Sequence, residues 1–233
     1  MTAEDVKYSL DRVTLPATQS PGSGFFSMIK GYDAMVGGTA TSLEGVTVVD
    51  PLTVKIELSR PDATFLHVMA INFSSVVPKE AVEAANGDFG KMPVGTGAFK
   101  MKEWTLGQSL VFERNPDYWR AGEPYLDQIT YEFGQEPVVA LLRLQNGEID
   151  VPGDGIPPAK FTEVMGDPAQ KAMVAQGNVL HTGYITMNVT AAPFDKVEVR
   201  RAVNMAINKD RIVQVINNRA APATQPLPPA MPG

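Results

Sequence analysis

The chain has 233 residues, 44% of them hydrophobic and 20% charged, and a net charge of −6. That length holds one large domain or two small ones, and the composition is ordinary for a globular protein. The acidic balance argues against a nucleic-acid surface, the lack of cysteine excludes disulfides and thiolate chemistry, and His67 and His181 alone cannot furnish a His-rich zinc site.

Met1-Thr2-Ala3-Glu4-Asp5 has neither the basic flank nor the apolar stretch of a signal peptide, so none is expected in this chain. No apolar run approaches the length that spans a bilayer. Thr2 and Asp5 fit a capping box with Asp for the usual Glu, and Val6, Leu10 and Val13 follow at helical spacing. A helix over about Thr2–Val13 is predicted, stopped by Pro16. Residues 20–38 read as a Gly-rich, aromatic loop around one short helix. Phe25 and Phe26 in it either line a cleft or cover the core. Val46–Val49 and Val54–Leu58 form a hairpin, with Val54, Ile56 and Leu58 inward and Lys55 and Glu57 wet. Short helices are expected over Asp62–Ala70 and Pro78–Ala85.

Asn86–Pro93 is rich in turn formers and marks a candidate boundary. Strands are predicted over Ala98–Trp104, Ser109–Glu113 and Leu126–Phe133. An amphipathic helix follows over Pro137–Asn146, stopped by Gly147, then a short strand over Glu148–Val151 running into Pro152-Gly153-Asp154-Gly155. Val179–Val189 reads as a strand and Val197–Ile207 as a helix with Val199, Ala202, Val203 and Ala206 on one face. A last helix starts near Asp210. Residues 220–233 hold five prolines and no periodicity, and read as a linker. The fold class is α/β in two parts.

Several stretches resemble one known family. Gly95-Thr96-Gly97-Ala98-Phe99 opens a strand pair that ends in Asn115-Pro116-Asp117-Tyr118-Trp119, a turn that throws out two aromatics together. Val48-Asp50-Pro51-Thr53-Val54, Asn146-Gly147-Glu148-Ile149-Asp150, Ala192–Ala202 and Asn208-Lys209-Asp210 follow in family order. The chain is similar, essentially end to end, to the extracytoplasmic solute-binding proteins of ABC importers, family 5, of dipeptide, oligopeptide and nickel-binding type. It lacks the Ser-Asp-Gly-x-Pro turn that precedes the family's first helix.

The resemblance implies a periplasmic-binding-protein-like fold of the class II type, present in part: a small α+β domain plus an incomplete mixed-sheet lobe. Residues 1–92 match the family's small extra domain, 93–218 the middle segment of its first ligand-binding lobe, and 219–233 a Pro-rich crossover toward a second lobe. The implied role is the substrate-binding component of an importer for peptides or similar small polar solutes, non-catalytic and without cofactor or metal. It would be periplasmic or extracytoplasmic in the full-length protein and would signal to an ABC permease when two lobes close. With one lobe, the chain is expected to bind weakly or not at all. Its exposed sheet edges are expected to self-associate.

Two stretches match cleft-lining positions. Glycines around Asp154 leave a wide pocket with exposed N–H groups, or Gly153-Asp154-Gly155 is a tight turn needing φ > 0. Alternation puts Tyr184, Thr186 and Asn188 on one side of a strand that faces a cleft or solvent. His181 reads as a structural histidine, and Trp104 and Trp119 as core or corner packing. Two other functions remain open at this point. One is a ligand-sensing domain of a regulator; the other is a hydrolase using Glu148, Asp150 and Asp154, for which no nucleophile or acid/base partner stands out.

Overall fold

The computed structural model describes residues 1–177, 179–228 and 231. By contact the chain divides into two compact units, residues 1–134 and 135–233. The turn-rich stretch around Met92 lies inside the first.

Helix α1 (Ala3–Thr14) opens the first unit. The Thr2 N–H donates to Asp5 Oδ2 at 2.7 Å, the carboxylate half of the capping box, and the Lys79 N–H donates to Asp5 Oδ1 at 3.2 Å. One carboxylate therefore caps α1 and holds the start of a helix 74 residues away. The bond from Thr2 and then that from Lys79 draw its pKa below the ordinary aspartate range, against the opposing effect of burial. Short helix α2 (Tyr32–Val36) precedes the hairpin β1 (Val46–Asp50) and β2 (Thr53–Ile56), antiparallel with Val48 opposite Val54. Leu10, Val13, Phe26, Ile29, Met35, Leu43 and Val46 form the buried core, flanked by Val54, Ile56 and Leu58 as the strand alternation requires. α3 (Phe65–Val68) and α4 (Lys79–Ala84) follow, both shorter than predicted.

The second sheet has order β3-β4-β5, all antiparallel: Phe99–Thr105, Ser109–Arg114 and Gln128–Glu132. A register shift between Met101 and Glu103 interrupts the β3–β4 ladder. On one face Leu110 and Phe112 of β4 stand opposite Tyr131 and Ile129 of β5, and Phe112 meets Tyr131 edge-on at 6.0 Å. The other face is mostly polar.

The second unit is helical: α5 (Pro137–Gln145), α6 (Phe161–Gly166), α7 (Pro168–Lys171), α8 (Val197–Ala206) and α9 (Lys209–Val215). Among the described residues its buried apolar side chains are Ala140, Leu141, Pro157 and Val164. Two expected strands are corrected here. Among the described residues neither Glu148–Val151 nor Val179–Val189 pairs with a neighbour, and without a ladder a β-prone sequence stays irregular. Residues 220–228 contain no helix or strand, as expected of a linker; 229–230 and 232–233 lie outside the described residues.

Candidate functional site

The Gly-x-Gly corner is fastened by one side chain. Asn115, 5% exposed, donates Nδ2 to Gly97 O at 2.8 Å and its N–H to Ala98 O at 2.9 Å, while its Oδ1 accepts the Asp117 N–H at 3.1 Å. These bonds clamp the end of the β3–β4 pair and form an Asx turn that swings the next residues off the sheet. Tyr118 and Trp119 emerge together, ring centroids 5.5 Å apart, with the Arg120 guanidinium 4.6 Å from the Trp119 ring. Trp119 is 68% exposed, which corrects its expected packing role: the turn carries it outward.

In the second unit, α5 ends where the Gly147 N–H donates to Leu144 O and the Glu148 N–H to Arg143 O. Glu148 Oε2 accepts from Arg143 Nε at 3.3 Å and Oε1 from Asn146 Nδ2 at 3.2 Å, so this carboxylate serves the end of the helix. Gly155 has φ +69° and donates its N–H to Pro152 O at 3.3 Å. It is the turn residue of the loop, in a conformation few other residues adopt. Gly153 and Asp154 beside it are exposed.

Tyr184, Thr186 and Asn188 are all exposed; Asn188 Oδ1 accepts from the N–H and hydroxyl of Thr190 at 3.0 and 2.8 Å. Among the described residues, no main-chain N–H or C=O of residues 182–187 is hydrogen-bonded. Six consecutive residues thus have main-chain donors and acceptors without a partner among the described residues. Thr182 Oγ1 within this stretch is buried and has no partner among the described residues. No hydrogen bond joins the stretch to the Gly153–Gly155 loop in those residues.

Phe25 and Phe26 belong to the first unit and part company there. Phe25 is half-exposed and stacks on Phe73 at 5.8 Å. Phe26 is fully buried in the core and is withdrawn from any ligand, correcting its expected place in a cleft. The helical turn Ser23–Phe26 points adjacent side chains in different directions, and only one points inward. The carboxylates whose pKa values are drawn down, Asp5, Asp50, Asp62 and Asp167, each accept bonds within a cap or tight turn. Among the described residues no group of three His, Cys, Asp or Glu is placed to hold a metal.

The family model "Bacterial extracellular solute-binding proteins, family 5 Middle" matches residues 1–233. The chain belongs to that family. It is 33% identical to the periplasmic oligopeptide-binding protein OppA of Salmonella typhimurium, covering 98% of this chain and 43% of that protein. It is 34% identical to the glutathione-binding protein GsiB of Pectobacterium atrosepticum, covering 97% and 41%. The structure of the Escherichia coli murein tripeptide binding protein MppA superposes with a TM-score of 0.80 at 27% identity, over 98% of this chain and 45% of that one. The chain therefore has part of a periplasmic-binding-protein fold, and spans about two fifths of the length of the curated relatives it matches.

One feature of this family 5 chain escaped the sequence reading. A shallow cleft of about 380 Å³ is lined by Phe161, Thr162, Met165, Gly166, Asn217 and Asn218. It forms because Asn217 Nδ2 bonds Pro158 O and the Arg219 guanidinium lies 5.4 Å over the Phe161 ring, folding the end of α9 back onto α6. None of the predicted ligand residues lines it. The sequence signal was Asn217-Asn218, a pair of left-handed residues ending a helix, followed by Arg219.

Proposed function

We propose that the chain is part of the substrate-binding component of an ABC importer for peptides or similar small polar solutes, and that it is non-catalytic. The observation that carries this reading is the unbonded main chain of residues 182–187 in a family 5 protein. An extended peptide is recognised chiefly through its main chain, and such a row of free N–H and C=O groups is its natural complement. Two relatives named for binding oligopeptides and glutathione support the same solute class.

In this reading Tyr184, Thr186 and Asn188 border the peptide, and Gly153, Asp154 and Gly155 shape a side-chain pocket. Residues 1–92 correspond to the small extra domain and 93–218 to the middle of the first lobe, with 219–233 leading to a second. The full-length protein works in the periplasm with a permease, and closure of two lobes on the solute is the signal. The chain spans only part of that clamshell, so it alone binds weakly or not at all.

Hydrogen exchange of the 233-residue chain in millimolar glutathione and di- to pentapeptides tests this. Protection confined to residues 182–188 is expected, and unchanged exchange throughout would overturn the peptide assignment. Micromolar heats in a parallel calorimetric titration would overturn the need for a second jaw.

A further inference from the structure

Three places in this chain set a glycine directly after an asparagine or aspartate: Asn86-Gly87, Asn146-Gly147 and Asp154-Gly155. With no Cβ on the glycine, its nitrogen meets little hindrance on approach to the preceding side-chain carbonyl carbon. The three differ in whether the main chain around them is free to make that approach.

Asn146 is held on both sides. The Gly147 N–H donates to Leu144 O at 3.0 Å, the Glu148 N–H to Arg143 O at 2.8 Å, and Asn146 Nδ2 to Glu148 Oε1 at 3.2 Å. Turning the Gly147 nitrogen toward Asn146 Cγ works against all of these bonds. The Gly155 N–H is likewise engaged, on Pro152 O at 3.3 Å, and the Asp154 carboxylate is a poor electrophile. Asn86 differs. Among the described residues neither its side-chain amide nor the Gly87 N–H has a hydrogen-bond partner. Asn86 has φ +45° and Gly87 φ +96°, a left-handed turn that asparagine and glycine adopt more readily than other residues. One bond spans the pair and resists its rotation, from the Asp88 N–H to Ala85 O at 2.9 Å. Each of these bonds is made by the site's own neighbours, so the contrast is local.

We propose that Asn86-Gly87 is a site of non-enzymatic deamidation, a modification point on the path from α4 to β3. The Gly87 nitrogen, its proton passed to hydroxide, attacks Asn86 Cγ. The new nitrogen–carbon bond closes a cyclic imide, the Cγ–Nδ2 bond breaks, and Nδ2 leaves as ammonia with a proton from water. Water then opens the imide. Addition at Cγ gives aspartate, and addition at the main-chain carbonyl gives isoaspartate, in which Gly87 is joined through the former side chain. Water is the co-reactant throughout, and nothing is oxidised or reduced.

Either product adds a carboxylate between Glu83 and Asp88, whose own charges are met by Lys79 at 3.7 Å and Lys91 at 2.9 Å. Isoaspartate also lengthens the main chain by a methylene inside the turn that the Asp88–Ala85 bond closes. That bond is then lost, and the turn leading into buried Phe89 loosens.

Peptide mapping by mass spectrometry of the 233-residue chain, aged in mildly alkaline buffer, tests the proposal. The mass change of NH2 replaced by OH should appear at Asn86 about tenfold or more faster than at Asn146, where further hydrogen bonds must break. In guanidinium chloride, which melts both turns, the two Asn-Gly sites should react at similar rates. An isoaspartate-specific carboxyl methyltransferase should label the aged chain. Asn86→Gln, whose longer side chain closes a ring far more slowly, should remove most of that label. If the glutamine variant does not fold, the comparison of the two sites within the wild-type chain decides. Equal native rates at Asn86 and Asn146, a preference unchanged in denaturant, or an aged chain with no mass change at Asn86 would each overturn the proposal.

Discussion

Gly45 lies where three segments of the first unit meet, and Gly45→Ala tests whether that junction is as tight as it looks. The Gly45 N–H donates to Lys30 O at 2.9 Å, Gly45 O accepts the Glu57 N–H at 2.7 Å, and the Lys30 N–H closes the set on Glu57 O at 3.0 Å. A Cβ at position 45 would stand 2.4 Å from Glu57 O and 3.0 Å from Lys30 N and Cβ. The nearest of these atoms is main chain, so relief requires β2 to move away from the loop. Overpacking of this kind costs about 1–3 kcal/mol. Weakening one of the three hydrogen bonds adds about 0.5–1.5 kcal/mol. The expected loss is about 2–4 kcal/mol, or roughly 5–15 °C in Tm for a chain of this size. Urea denaturation followed by circular dichroism measures it, with Gly24→Ala as control, since nothing lies within 4 Å of a Cβ there. If the two variants agree to within about 0.5 kcal/mol, the steric argument fails.

Asp5 carries an acid sensitivity whose sign follows from its bonds. Its folded pKa lies below the ordinary value of 3.8 because Thr2 and Lys79 donate to it. Its contribution is therefore complete above that value and is lost as pH falls through the lower folded pKa. Wild type should lose stability in that acid window more steeply than Asp5→Asn, and parallel pH profiles would refute it. Asn115→Ala leaves the Asp117 N–H and Gly97 O without the side chain that bonds them, and should cost about 1–3 kcal/mol in urea titration. Tyr118 and Trp119 should also lose their fixed stacking, visible as a shift in tryptophan emission; unchanged emission would refute the clamp. Phe26→Ala should cost about 3–5 kcal/mol as a core cavity. Phe25→Ala should cost only about 0.5–1.5 kcal/mol for its ring stack on Phe73. Comparable losses would mean that the neighbours are not divided between core and surface.

Elements with their own periodicity or punctuation were legible in the residues. α1 follows from Thr2, Asp5 and the Val6–Leu10–Val13 stripe, α5 from its leucines and Gly147, and the hairpin from strict alternation around Asp50–Thr53. The resemblance added the family and part of the fold. The expected strands at Glu148–Val151 and Val179–Val189 fail because alternation specifies faces, whereas a strand exists only beside a partner. Helices α6 and α7 were missed for the opposite reason. They are short, and α7 is set by the Asp167 side chain accepting from Ala169 and Gln170, a local bond with no long pattern behind it. Phe25 and Phe26 show a finer limit. Composition marks both as apolar, and only the backbone path through Ser23–Phe26 decides which one meets Leu10 and Met35.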